Sequence, residues 1–406
     1  MALRSARQAA VGMKKIILHK TKDKAAWQLH PWIFSGAISQ KDSDLKSGDL
    51  VSVFNAEREF IAYGIFNSAS RVAVRLLEWH PERTPDADWW RNRVRRAVEA
   101  RRHLLNDQNT TCRLIFAEAD FVPGLIADLY GDFISIQVHA AGVDQIKHLI
   151  VDELVQLLAP KGIYERSDIK SREYEQLADD NGVRYGETPP EYVEVMENGI
   201  RYHINIVEGQ KSGFYCDQRD NRRIVSQFVA GKSVLDCFSY SGGFTLNALQ
   251  AGASHVTSVD SSALAISTLK DNVQLNGFDT SKNTPVQSDV NKYLRQLGEE
   301  GHKFDVIVLD PPKYAPSRST LEKASRAYKD LNRRGLLLLE SGGLLATYSC
   351  SGAMDIETFK QVIAWAALDA GKEIQFIHQF HQPEDHPVRA SFSEGEYLKG
   401  LLVRVV

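Results

Sequence analysis

VLDCFSYSGGFT, residues 234–245, is a short β-branched apolar run that ends in an aspartate and gives way to a loop of small residues. VIVLDPPKY, residues 306–314, repeats the plan with prolines in the loop. A strand buried on both faces reads as a continuous apolar run, and in a parallel sheet it delivers its last side chain to one open edge. Ligands of doubly wound sheets bind at those carboxyl ends. The same alternation extends outward from the pair: HVTSVD (255–260), a helix over 262–276, TPVQSD (284–289), LLATYSC (344–350), a helix over 355–370, then EIQFIHQF and YLKGLLVRVV. The pattern predicts an α/β domain with a mostly parallel sheet and helices on both faces. Its last two strands, joined by the helix-free segment 381–396, are expected to form an antiparallel edge.

A chain of 406 residues has room for two or three domains. The hydrophobic content of 43% and charged content of 25% are those of an ordinary soluble protein. No apolar run approaches the roughly 20 residues of a membrane span, so no membrane partner is expected. The opening MALRSARQAAVG is mildly basic without an apolar core, and reads as an added or frayed tail rather than a targeting signal. Cys112, Cys216, Cys237 and Cys350 are too scattered for a disulfide framework or a zinc site, so no metal is expected and the cytoplasm is the expected compartment. The net charge of −3 conceals an asymmetry. Residues 1–103 carry 19 Lys+Arg against 11 Asp+Glu, a net +8, and the remainder carries −11. A basic amino-terminal third suits an anionic partner gripped at one end, or simply a solvated basic surface.

From residue 14 to about 78 the text is short alternating strands, such as LVSVF (50–54), EFIAYGIF (59–66) and RVAVRLL (71–77). They predict a small bent β-barrel over residues 13–83. Trp32 and Phe34, in HPWIFSGAI (30–38), either fill its core or stack on a base. Thr84-Pro85 then announces a helix over about 86–105. It carries Arg91, Arg93, Arg95, Arg96, Arg101 and Arg102 on more than one face, some to solvate it and some to meet phosphates. The rest of 84–190 reads as a small α/β middle domain in which FVPGLIADLYGD (121–132) supplies turns. Lys170 and Arg172 there belong either to an RNA surface or to a solvated loop. YVEVMENGIRYHINI (192–206) reads as a hairpin opening the carboxyl-terminal domain, 191–406. It leads into EGQKSGFYCDQRDNRRIV (208–225), a loop suited to fold over a ligand, with Gln218 and Arg219 in reach of a carboxylate.

Asp236, Asp260 and Asp289 each end one of three successive strands. An acid after the second strand can accept both ribose hydroxyls of a nucleoside, and Asp289 is placed for the amine of adenine. Ser239 and Gly242 lie in the turn before a helix start, but no GxGxxG is present, so a diphosphate is not the expected ligand. Three strand-end carboxylates suit a cationic adenosyl sulfonium better.

The 232–406 segment resembles the Rossmann-like class I S-adenosylmethionine (SAM) methyltransferases, and the front end resembles a PUA domain through HPW-FSGAI, GDLVSVF and AYGIFN. Nearly the whole chain resembles the bacterial 23S ribosomal RNA cytosine-5 methyltransferases that carry both. YERSD, SGFYCDQRDNR, DCFSYSGGF, VDSS, FDVIVLDPPKY, YKDLN and TYSCSG carry that resemblance. It implies SAM as cofactor and Gln218, Arg219, Asp236, Phe238, Ser239, Gly242, Asp260, Asp289 and Asp310 as the residues lining the cleft. It implies 23S ribosomal RNA as partner, naked or in an early large-subunit precursor, gripped by residues such as Lys313, Trp32, Arg91 and Arg95. The oligomeric state is open, with a homodimer among the options.

Carbon 5 of cytosine is too weak a nucleophile to attack a methyl sulfonium until a thiolate adds at carbon 6. Cys350 ends a strand at the expected cleft edge, before a helix whose amino terminus is expected to favour its thiolate. Asp310, held by Pro311-Pro312, is placed to bond the amine and ring nitrogen of cytosine. Many RNA cytosine-5 methyltransferases carry a second cysteine where this chain has Lys313. Water, Asp310 and Lys313 therefore all remain open as the group that removes the carbon 5 proton. A guanine-nitrogen methyltransferase, a nicotinamide-dependent oxidoreductase and a non-catalytic RNA-binding factor are the competing readings.

Overall fold

The computed structural model describes residues 12–168, 170–209, 213–315 and 318–406. The tail expected before residue 12 lies outside them, as does the side chain of Lys170. The chain divides into two compact units, one made of Met1–Val195, Ile204–Phe214 and Asp385–Gly395, the other of Met196–His203, Tyr215–Glu384 and Glu396–Val406.

In the first unit, strands Lys14–Leu18, Trp32–Phe34, Ile38–Lys41, Leu50–Phe54, Phe60–Phe66 and Val72–Glu78 form one sheet. Its strands run in the order 2-6-5-4-1-3, with the first and fourth parallel. Register shifts at Val53/Phe54 and Tyr63/Gly64 break the ladder, as bulges that bend a sheet do. Gly64 is needed at the second: a Cβ there would lie 2.5 Å from Val74. Ile16, Leu18, Val51, Val53, Ile61, Phe66 and Val74 fill the core of this sheet.

A second sheet follows in strict chain order: Thr111–Phe116, Leu125–Tyr130, Phe133–Val138, Gly162–Ser167 and Asp180–Gly186. Helix Ala87–Arg101, capped by Asp86 accepting from Trp89 N at 2.8 Å, contributes Trp90 and Val94 to its core. Helix Ala141–Leu158 contributes Ile150 and Leu154. Two of these strands depart from the sequence reading. Leu125–Tyr130 is nearly all buried, so it shows no alternation and its flanking glycines read as turns. Asp180–Gly186 is a partly exposed edge strand, rich in residues that strands usually avoid.

Arg172 is also a correction. It is buried and donates to the carbonyl oxygens of Val138 at 2.6 Å and Ala178 at 2.7 Å, so it ties the backbone together rather than facing RNA. Arg101 is likewise buried, in a two-pronged pair with Asp120 at 2.7 Å. Asp144, Glu165 and Asp180 bring carboxylate oxygens within 4.8 Å of one another. The Lys147 ammonium sits among all three, 3.1 Å from Glu165, so the cluster is an ion-pair network.

The segment Asp385–Gly395 comes from the connection between the last two strands of the chain and belongs to this first unit. Its Asp385 carboxylate accepts from Arg113 N at 2.9 Å, and the Phe392 ring meets Trp32 edge-on at 4.7 Å.

The second unit is built on a seven-stranded sheet: β1 Ser233–Cys237, β2 His255–Asp260, β3 Asn283–Gln287, β4 Phe304–Leu309, β5 Leu339–Ser349, β6 Ile374–His381 and β7 Lys399–Val405. The order is 3-2-1-4-5-7-6, and β1 to β5 are parallel. The last strand, β7, lies between β5 and β6 and is antiparallel to both. Neighbouring residues face opposite ways, so Leu235, Ile307, Leu345 and Leu401 join one core with Leu331 and Phe359. Val234, Val306, Val308 and Leu402 join the other with Val225 and Phe244. Both faces are covered, as the unbroken apolar runs required. Each such side chain contributes about 1.5–3 kcal/mol by leaving water. Gly400 on β7 allows close approach, since a Cβ there would lie 2.4 Å from the Tyr348 ring. Among the described residues no helix is long and apolar enough to cross a membrane.

Candidate active site

Because β3, β2, β1, β4 and β5 are adjacent and parallel, their carboxyl ends make one edge. Read across it, that edge carries Asp289, Asp260, Asp236, Asp310 and Cys350, each in its strand or within two residues beyond it. The five residues are separated by up to 114 positions in the chain, and the strand order alone brings them into one row.

Asp236 sits at the centre of this row and is fully buried. Its Oδ2 accepts from Thr245 N at 2.9 Å and Thr245 Oγ1 at 2.7 Å, which caps the helix Gly243–Gln250. Burial outweighs those bonds and, with the charge of Asp310 adding to the effect, pushes the carboxyl up to about 7. The loop between strand and helix is held in a demanding shape. Phe238 and Tyr240 have φ of 62° and 47°, and Gly242 has φ of 94°. Left-handed backbone at two non-glycine residues costs about 1 kcal/mol or more each, and such costs gather at functional sites. Bonds from Ser239 N to Val259 O and from Tyr240 N to Asp260 Oδ2, both 3.0 Å, hold the loop there.

Asp260 spends its other oxygen on Ser262 N at 2.9 Å. Each carboxylate oxygen keeps a second lone pair, so the pair of ribose hydroxyls expected from the sequence still has acceptors. Asp289 is exposed and caps the helix Val290–Glu299 by accepting from Lys292 N at 2.9 Å. Lys313 is exposed three residues beyond Asp310.

The segment before β1 adds residues the sequence reading did not single out. Arg222 is buried, paired with Glu197 at 2.5 Å and donating to the Tyr215 carbonyl at 2.7 Å. Burial pushes the Tyr215 phenol up, and Tyr240, Asp217, Asp310 and Cys350 add to the rise, so these groups share one electrostatic neighbourhood. Gln218 and Arg219 are buried at the start of the helix Arg219–Ser226. The Gln218 carbonyl group accepts from Asn221 at 2.7 Å, and Arg219 reaches Asp220 at 3.2 Å. Gln218 Nε2, Asp236 Oδ1 and Ser239 Oγ are buried with no hydrogen-bond partner among the described residues. Leaving buried polar atoms unmatched costs about 1–3 kcal/mol each, which a ligand that pairs with them would relieve.

Cys350 is partly exposed, while Cys112, Cys216 and Cys237 are buried. The turn beyond it is anchored on Ser351, whose hydroxyl accepts from Ala315 N at 3.0 Å and lies 3.2 Å from the Tyr328 hydroxyl. That bond joins the loop after Asp310 to the loop carrying Cys350. The helix expected over 355–370 follows it. The helix begins at Ile356, and Asp355 caps it by accepting from Thr358 N at 2.7 Å. A cation reaches the same turn from β7: Lys399 donates to the Ser351 carbonyl at 2.8 Å. A lysine inside the apolar run YLKGLLVRVV was the available signal for it.

Of the expected RNA contacts, Lys313 belongs to the second unit and Trp32, Arg91 and Arg95 to the first. Trp32 is half-buried with its Nε1 donating to Glu118 at 2.8 Å, and Phe34 beside it is exposed. Arg91 pairs with Asp88 at 3.0 Å and Arg95 with Glu153 at 2.7 Å.

Unmatched donors and acceptors set beside a row of carboxylates suit a ligand that is at once nucleoside, amino acid and cation. S-adenosylmethionine answers that description, and the strand order with this edge defines a SAM-dependent methyltransferase. Comparison with known proteins agrees. The family model for S-adenosylmethionine-dependent methyltransferases matches residues 172–404, and that for PUA-like domains matches 16–79. The chain is 43% identical over 393 residues to ribosomal RNA large subunit methyltransferase I of Aliivibrio fischeri, covering 96% of this chain and 99% of that one. The protein of the same name from Shewanella denitrificans matches equally, at 43% over 393 residues with the same coverage. The solved structure of SMU.776 complexed with SAH shares the fold, with a TM-score of 0.84 at 23% identity over 97% of this chain and all of that one. The chain belongs to the ribosomal RNA large subunit methyltransferase I family of SAM-dependent methyltransferases.

Proposed function

We propose that this protein methylates carbon 5 of a cytosine in 23S ribosomal RNA, with Cys350 as the nucleophile. The observation that carries the proposal is the position of Cys350, the one cysteine of four not buried, beside Asp310 on the carboxyl edge. The ribosomal RNA substrate follows from the names of relatives 43% identical to the chain. Gln218, Arg219, Asp236, Phe238, Ser239, Gly242, Asp260, Asp289 and Asp310 hold the cofactor, which when bound supplies an electrophilic methyl group.

The Cys350 thiolate adds to carbon 6, and the displaced π electrons make carbon 5 nucleophilic. Asp310 bonds the amine and ring nitrogen of cytosine and stabilises the ring as charge develops there. After methylation the carbon 5 proton leaves, the double bond re-forms and the thiolate is expelled. The target base must first leave its stack. Trp32, Arg91, Arg95 and Lys313 grip naked or early-precursor RNA through stacking and phosphate contacts.

The test is methyl transfer from labelled SAM to protein-free 23S RNA lacking the modification, followed by nucleoside analysis. Wild type should yield 5-methylcytidine, and Cys350→Ala should lose on the order of 10³-fold or more. Methylguanosine made equally by both proteins would overturn the proposal.

A further inference from the structure

Deprotonating a partly buried thiol needs a nearby positive charge. The helix that follows Cys350 is capped by the Asp355 carboxylate, and β7 brings a cation to the same turn. Lys399 begins β7, directly across from Ser349 of β5. Its side chain follows the row that continues with Leu401, Val403 and Val405, all core residues, and only 7% of it is exposed. A lysine is an expensive residue at such a position unless its charge has a use. Its ammonium is fixed on the carbonyl of Ser351, the residue after Cys350.

We infer that Lys399 is the positioning residue that holds Cys350 as a thiolate, an inference that rests on the reading of Cys350 as nucleophile. The thiol S–H breaks, its proton passes to water, and the sulfur anion stays beside the fixed ammonium. The charges around the pair agree with this role. Burial pulls the Lys399 amine down to about 8, while Cys350, Glu396 and Asp355 push it back up and Lys313 opposes them. Tyr328 and Tyr215 also face the cysteine, and both phenols rise, chiefly through burial with Cys350 adding to it, which leaves them neutral. Asp310, in the same neighbourhood, disfavours a second anion. An attraction that raises the lysine favours the thiolate by the same amount, because the coupling is mutual.

The experiment reads the thiol directly in the full-length protein: the rate of Cys350 alkylation by iodoacetamide against pH, followed by mass spectrometry. Cys350→Ala sets the background, which the three buried cysteines keep low. Lys399→Met should slow alkylation at pH 7 about tenfold and move the profile to higher pH, and Lys399→Arg should restore part of the rate. SAH binding by calorimetry shows that each variant is folded. If the methionine variant does not bind SAH, Lys399→Gln carries the same test. An unchanged alkylation profile in a folded, uncharged variant overturns the inference and leaves the nucleophile reading standing. Full methyl transfer by Cys350→Ala sinks the nucleophile reading while the alkylation result stands.

Discussion

Asp236 gives a prediction that can be worked through in numbers. Its folded-state carboxyl titrates at about 7, because burial outweighs the two bonds from Thr245. SAM is a cation, so it favours the ionised carboxylate, and binding below pH 7 must first release a proton. For one group at 7, the apparent Kd at pH 6 is about elevenfold above its limit and at pH 8 about 1.1-fold, so it changes by roughly tenfold, or about 1.4 kcal/mol. Calorimetry in two buffers of different ionisation enthalpy would measure both the Kd and the proton released. Asp236→Asn should bind more weakly and show no such slope. A Kd that is flat from pH 6 to 8 in wild type, or a slope that persists in the asparagine variant, would refute the reasoning. The same group fixes a sign for stability. The unfolded carboxyl ionises near 4, so between about 4 and 7 the folded state binds more protons, and Asp236 lowers stability as pH rises through that window.

Further outcomes can be checked by denaturation. Glu197→Gln strands the buried Arg222 guanidinium and should cost about 3–5 kcal/mol, with Glu197→Leu/Arg222→Met recovering much of it in a urea titration. Gly400→Ala drives a methyl into the Tyr348 ring and should cost about 1–3 kcal/mol, read as a lower urea midpoint at unchanged slope. Tyr397→Phe removes the bond its hydroxyl donates to Asp217 at 2.6 Å and should cost about 0.5–1.5 kcal/mol, the net worth of an ordinary hydrogen bond.

The carboxyl edge was legible because each of its strands is an uninterrupted apolar run, and the turn chemistry after Asp236 and Asp310 marks where each run stops. What the text does not carry is which side chains meet across distant elements. Lys399 lies 49 positions from Cys350, and only the register of β7 on β5 brings the two ends together. Arg101 and Arg172 illustrate the opposite error. Their charge reads as surface until their partners are known, and those partners, Asp120 and the Val138 carbonyl, lie in other elements. The helix expected over 355–370 was legible too: it runs Ile356–Asp369, with Asp355 as its cap.

The place of β7 also bears on how the molecule is made. β7 follows β5 and β6 in the chain yet lies between them, so a nascent chain that has reached residue 381 holds β5 and β6 with nothing to pair them. The first unit waits as well, because its own piece, Asp385–Gly395, follows six of the seven strands of the second unit's sheet in the chain. Neither unit can be complete before residue 395 has been made. Emergence of the segment from Asp385 through β7, rather than of one domain after another, is then the step at which both native states become available.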